Sequence, residues 1–170
     1  MREVSRADSG RLVGFSCDVN RTMRTLLHPA DRAALVARLR SLRPEAPPRW
    51  GRLDAPRMLT HLTDQLRHSV SETRLRPSRS PFRFPFIKQL AMYWLPWPKG
   101  RIRGPAAAFL TQPSEWAADL ATLEALIDQF VELPVGREWP GHPFFGTMSK
   151  ASWARVSYRH VDHHLRQFGA

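Results

Sequence analysis

The sequence predicts an all-α protein: a four-helix bundle with a long proline- and aromatic-rich crossover between its second and third helices. Three observations carry that expectation. Four segments repeat apolar residues with the period of a helix. No segment alternates apolar and polar residues as a half-buried strand would, and there is no internal repeat. Asp, Ser, Pro and Gly stand where helices start and stop.

The first predicted helix spans 29–42. Pro29 sits near its start, where the missing N–H costs nothing. Leu35, Val36, Leu39 and Leu42 form its apolar stripe, and Pro44, Pro47 and Pro48 break it. His28, just upstream, reads as a cap-region residue. The second helix spans 55–74, with Asp54 as N-cap, Pro56 in the first turn and Met58, Leu59, Leu62, Leu66 and Val70 on its apolar side. Residues 76–113 are the crossover, with a short helix over 86–95 ended by Pro96 and Pro98.

The third helix spans 114–133, capped by Ser114 and stopped by Pro134. Trp116, Leu120, Leu123, Ile127, Phe130 and Val131 keep its period. The fourth spans 149–168, and Gly169 takes the usual position after a helix end. Its inward stripe is Trp153, Val156, Ser157, His160, Val161, His164 and Phe168. Arg155, Arg159, Asp162, His163 and Arg166 are placed on the opposite, solvated side. Residues 1–22 are polar, basic and irregular. They read as a disordered or non-family leader, with Met23 as an alternative start, so the domain is assigned to 23–170.

Composition narrows the function classes. A chain of 170 residues suits one domain with a sizeable core. The single cysteine, Cys17, excludes an internal disulfide and points to a reducing, cytoplasmic setting. No stretch approaches the roughly 20 apolar residues of a membrane span. The net charge of +11 suggests a nucleic-acid or acidic partner, yet its 26 positive residues include only three lysines and are spread along the chain. An electrostatic footprint needs clustering, so nucleic acid is not the expected partner.

The chemistry lies in the histidines. His160 and His164 are four apart, a turn of about 400° on a helix, so both imidazoles project from one face. Two neutral imidazoles so placed can hold one divalent transition metal. The bland reading is a pair of core histidines hydrogen-bonded to neighbours. His163 competes as second ligand by its spacing of three from His160, but its neighbours Arg159 and Arg166 read as a solvated face. A third ligand would come from the second helix, which offers His61, Asp64, Gln65 and His68. Asp64 would orient a ligand or donate an oxygen itself. His142, in a loop shaped by Pro140, Gly141, Pro143 and Gly146, would line a pocket mouth or simply pack in a turn. There is no glycine-rich phosphate loop, nucleophile elbow, Cys-rich zinc pattern or Glu-x-x-His di-iron motif.

With these residues in view, the chain resembles the DinB-like (YfiT-like) superfamily of metal-binding helical bundles. The matching residues are Met58-Leu59-Thr60-His61 and His160-Val161-Asp162-His163-His164-Leu165-Arg166-Gln167. It is similar above all to a bacterial subfamily of unknown function. The shared marks are Trp50-Gly51, His142-Pro143-Phe144-Phe145-Gly146, Trp153 and the closing run through Phe168-Gly169. The resemblance covers about 23–170.

It implies a metal on His61, His160 and His164, selecting His61 over His68 and His164 over His163. The metal would be Zn, Ni or Fe, with Asp64 and Gln167 in supporting contacts and His142 and the tryptophans at the mouth. It further implies a metal-dependent thiol transferase or hydrolase acting on a low-molecular-weight thiol or small anionic substrate, and a homodimer. The rival expectation is a non-catalytic helical binding module whose basic surface meets nucleic acid or an acidic partner.

Overall fold

A computed structural model describes residues 23–71, 80–97, 99 and 109–170. Within them the chain forms five helices and no strand: α1 (Pro29–Ser41), α2 (Ala55–Val70), α3 (Pro85–Gln89), α4 (Trp116–Glu132) and α5 (Lys150–Gln167). A 3₁₀ turn, Pro81–Arg83, precedes α3, and a π-helical turn, Leu90–Trp94, continues it. The predicted leader lies outside the described residues, as does part of the crossover.

The helix ends follow the local chemistry of their caps. His28 Nδ1 accepts from the Asp31 N–H at 3.4 Å. The Asp54 carboxylate accepts from the Arg57 N–H at 2.7 Å, and Ser149 Oγ from the Ser152 N–H. One cap differs from expectation. α4 starts at Trp116, and Ser114 lies outside it, bonded through its N–H and hydroxyl to both oxygens of Asp119. The carboxylate reaches back from the first turn and holds Ser114 just outside the helix, whose own first-turn N–H groups have no side-chain cap. At the other end of α4, the Lys150 ammonium donates to the Val131 and Leu133 carbonyls. These are orphan acceptors at the negative end of the helix dipole. Lys150 is therefore buried, although it opens α5.

α2 packs on α4 and α5, and α1 packs on α5 and α4. The core between them holds Leu35, Leu39, Met58, Leu59, Leu62, Leu66, Leu123, Ile127, Phe130, Trp153, Val161 and Leu165, all at 0–1% exposure. Each such side chain contributes about 1.5–3 kcal/mol by leaving water. The Trp153 indole N–H satisfies itself on the Pro140 carbonyl at 2.8 Å.

α5 is half polar by composition yet lies deep. Its expected solvated side is only partly so. Arg159 is half-buried and donates to the carbonyls of Ala91, Met92 and Leu95 at 3.2, 2.5 and 2.6 Å. It closes the end of the π turn against α5. Among the described residues, no helix is long and apolar enough to cross a membrane.

Candidate metal centre

α2 and α5 run antiparallel and bring three histidines together. His160 Nε2 lies 3.1 Å from His61 Nε2 and 3.1 Å from His164 Nε2. One nitrogen from each ring falls within 4.8 Å of the others. A tetrahedral zinc site with bonds of about 2.0–2.1 Å has ligand–ligand edges of roughly 3.3 Å. Two edges of this triangle are therefore already near metal-binding size.

Protonation agrees with the geometry. Burial holds His160 well below the ordinary imidazole range, and the adjacent His164 and His61 rings push the same way. Burial, helped by His61, lowers His164 to about 3, against a hydrogen bond that the ring donates to Gln167 and that opposes the shift. Both rings are neutral at pH 7, the form a metal requires.

The tautomer of His164 follows from its neighbours. Gln167 Nε2 donates to the Trp50 carbonyl at 2.6 Å, which fixes the amide's orientation, because a carbonyl only accepts. Gln167 Oε1 then lies 2.8 Å from His164 Nδ1. An amide oxygen also only accepts, so the proton sits on Nδ1 and the Nε2 lone pair faces the other histidines. Gly51 makes this contact fit. It has φ +80°, and a Cβ there would stand 2.7 Å from Gln167 Nε2. Trp50-Gly51 in the sequence is thus the seat of the Gln167 amide.

Asp64 does different work from that expected of a ligand's partner. Its carboxylate accepts from the N–H groups of Leu110 and Thr111 at 2.7 and 2.9 Å and from Thr111 Oγ1 at 2.5 Å. That anchor sets Phe109 over His61, with centroids 4.4 Å apart and planes at 12°. Asp64 is thus bonded to the segment that follows the ring laid on His61.

His142 is held in its own turn. Its Nδ1 accepts from the N–H groups of Phe144 and Phe145, its backbone pairs with Gly146, and its ring packs 5.1 Å from Trp153. Burial first, then His68 and Lys88, lower it to about 3. His68 points to the Gly141 carbonyl at 3.2 Å and stays outside the triad.

Two tryptophans stand beside these rings. Trp97 stands 5.8 Å from His160 and 6.1 Å from His163, its N–H on the Ala91 carbonyl. His163 is half-buried rather than solvated, edge-on to Trp50 at 5.8 Å. Three residues on from His160 is about 300° of turn, which is the flank of the buried stripe and not its opposite side. That phase was the available signal. Lys99 Nζ lies 4.7 Å over Trp50 and adds a positive charge beside the aromatic wall.

No curated protein and no solved structure matches the chain at a significant level. A family model does match, over residues 21–170, and it includes every residue of this centre. The chain belongs to that family, the proteins of unknown function DUF1569.

Proposed function

We propose that this protein is a metal-dependent enzyme of the DinB-like type, a four-helix bundle in which His61, His160 and His164 bind one divalent metal ion. The observation that carries the reading is the convergence of three Nε2 atoms, with the His164 tautomer set by Gln167. A pair of satisfied core histidines would need neither the third ring nor an amide relay from Trp50. Neutral imidazoles suit Zn, Ni or Fe(II).

When bound, such an ion supplies a Lewis acid that lowers the pKa of a water or thiol in its open position. The chain's residues do the rest. Phe109, Trp97 and Trp50 wall the site with aromatic surface. Lys99 supplies a charge that favours an anion. These features fit a low-molecular-weight thiol or a small anionic substrate, and a thiol transferase or hydrolase reaction.

The test is elemental analysis of protein purified from metal-supplemented medium, beside His160→Ala. One equivalent of metal in the wild type and none in the variant is expected. A wild type without stoichiometric metal, even after reconstitution, overturns the reading.

A further inference from the structure

Two buried side-chain polar atoms among the described residues have no hydrogen-bond partner: Gln65 Oε1 and Trp50 Nε1. Orphans of this kind are rare in folded proteins, because each costs about 1–3 kcal/mol. Both belong to the surroundings of the three histidines. Trp50 gives its carbonyl to Gln167 at the C-terminal end of the centre. Gln65 stands at the opposite end.

Its position follows from helix spacing. Gln65 is four residues beyond His61 on α2, so it shares the His61 face one turn on. Ser157 is three residues before His160 on α5, again one turn away on nearly the same face. The two meet across the helices, Gln65 Nε2 donating to Ser157 Oγ at 3.3 Å. His61–His160 and Gln65–Ser157 are thus successive rungs of one antiparallel ladder. The bond to Ser157 holds the amide on the rung next to the histidines and leaves Oε1 buried with its acceptor capacity unused.

Three histidines leave a metal ion with at least one open position. We propose that Gln65 is the residue that receives the small protic ligand of this position, its Oε1 accepting a hydrogen bond from the ligand's O–H or S–H. This rests on the metal-binding reading above. It adds a selectivity. A ligand with a proton to give is favoured, and an acceptor-only anion meets the negative end of the amide dipole.

The experiment uses the Co²⁺-loaded full chain, with thiocyanate as an acceptor-only probe that displaces bound water, followed by the visible d–d bands. Gln65→Leu removes the acceptor. Thiocyanate is expected to bind it roughly three- to tenfold more tightly than wild type. Gln65→Met, of similar length and no charge, is expected to behave the same way and covers the case in which the leucine variant fails to fold. Gln65→Glu places a negative charge there and is expected to weaken thiocyanate at least tenfold.

Thiocyanate affinities within twofold of wild type in the Leu and Met variants, with Co²⁺ bound stoichiometrically, overturn the role of Gln65 and leave the metal reading standing. Failure of the wild type to bind Co²⁺ overturns both, and is distinguished by the absence of the d–d bands before any thiocyanate is added.

Discussion

Replacing Gln167 with methionine removes two short hydrogen bonds and almost no volume. The amide holds His164 Nδ1 at 2.8 Å and the Trp50 carbonyl at 2.6 Å, and the side chain is 4% exposed. Loss of a contact that orients a metal-ligating histidine costs roughly 10–100-fold in metal affinity, or about 1.4–2.8 kcal/mol. The same substitution strands a buried carbonyl and an imidazole N–H, which adds about 2 kcal/mol of lost folding stability.

Gln167→Glu separates the two effects. It keeps an oxygen for the His164 Nδ1–H but sets an acceptor against the Trp50 carbonyl. It should retain most of the zinc affinity while losing stability. Competition against a chromophoric chelator measures the first quantity, and urea unfolding of the metal-free protein measures the second. If Gln167→Met binds zinc within threefold of wild type while His164→Ala does not bind it, the orienting role assigned to Gln167 is wrong.

Two further outcomes follow from other contacts. Asp64→Ala removes three hydrogen bonds to the 110–111 backbone and hydroxyl, and should cost about 3 kcal/mol in urea unfolding. Its metal stoichiometry should stay at one, since the Asp64 carboxylate bonds the 110–111 segment beside Phe109 rather than the histidine rings; loss of the metal would make Asp64 a ligand. The metal-free protein should also lose stability in acid. His142 and His164 have folded pKa values of about 3, below the ordinary 6.5. The unfolded chain therefore binds protons first. The stability these two rings contribute is complete above about pH 6.5 and is lost as pH falls from there toward 3. A urea midpoint that holds constant between pH 7 and pH 4 would contradict their burial as neutral rings.

Much of this architecture was legible because helices announce themselves locally. Asp54 and Ser149 cap the helices they precede, Gly169 follows α5 at φ +85°, and the apolar period of α4 matches its buried Leu123, Ile127 and Phe130. Where the local signal was ambiguous, the expectation drifted. The second helix ends at Val70 rather than at 74, with the Arg137 guanidinium on its last carbonyl from a distant loop. The short crossover helix becomes α3 plus a π turn, whose carbonyls at Ala91 and Met92 are taken up by Arg159 of α5.

The sequence by itself determined that His160 and His164 share one face of one helix, since a spacing of four is a property of the backbone alone. It also placed Gln167 two turns beyond His160 and three residues from His164, within reach of that ring. What only the tertiary structure decided is what crosses between elements. His61 meets His160, Asp64 ties down Phe109 instead of a ligand, His163 turns into the aromatic wall, and Gln65 is left with an unused acceptor. Each depends on the rotation and offset of α2 against α5. Those are set by how Leu59, Leu62, Leu66, Trp153, Val161 and Leu165 pack together, and no spacing within a single segment encodes them.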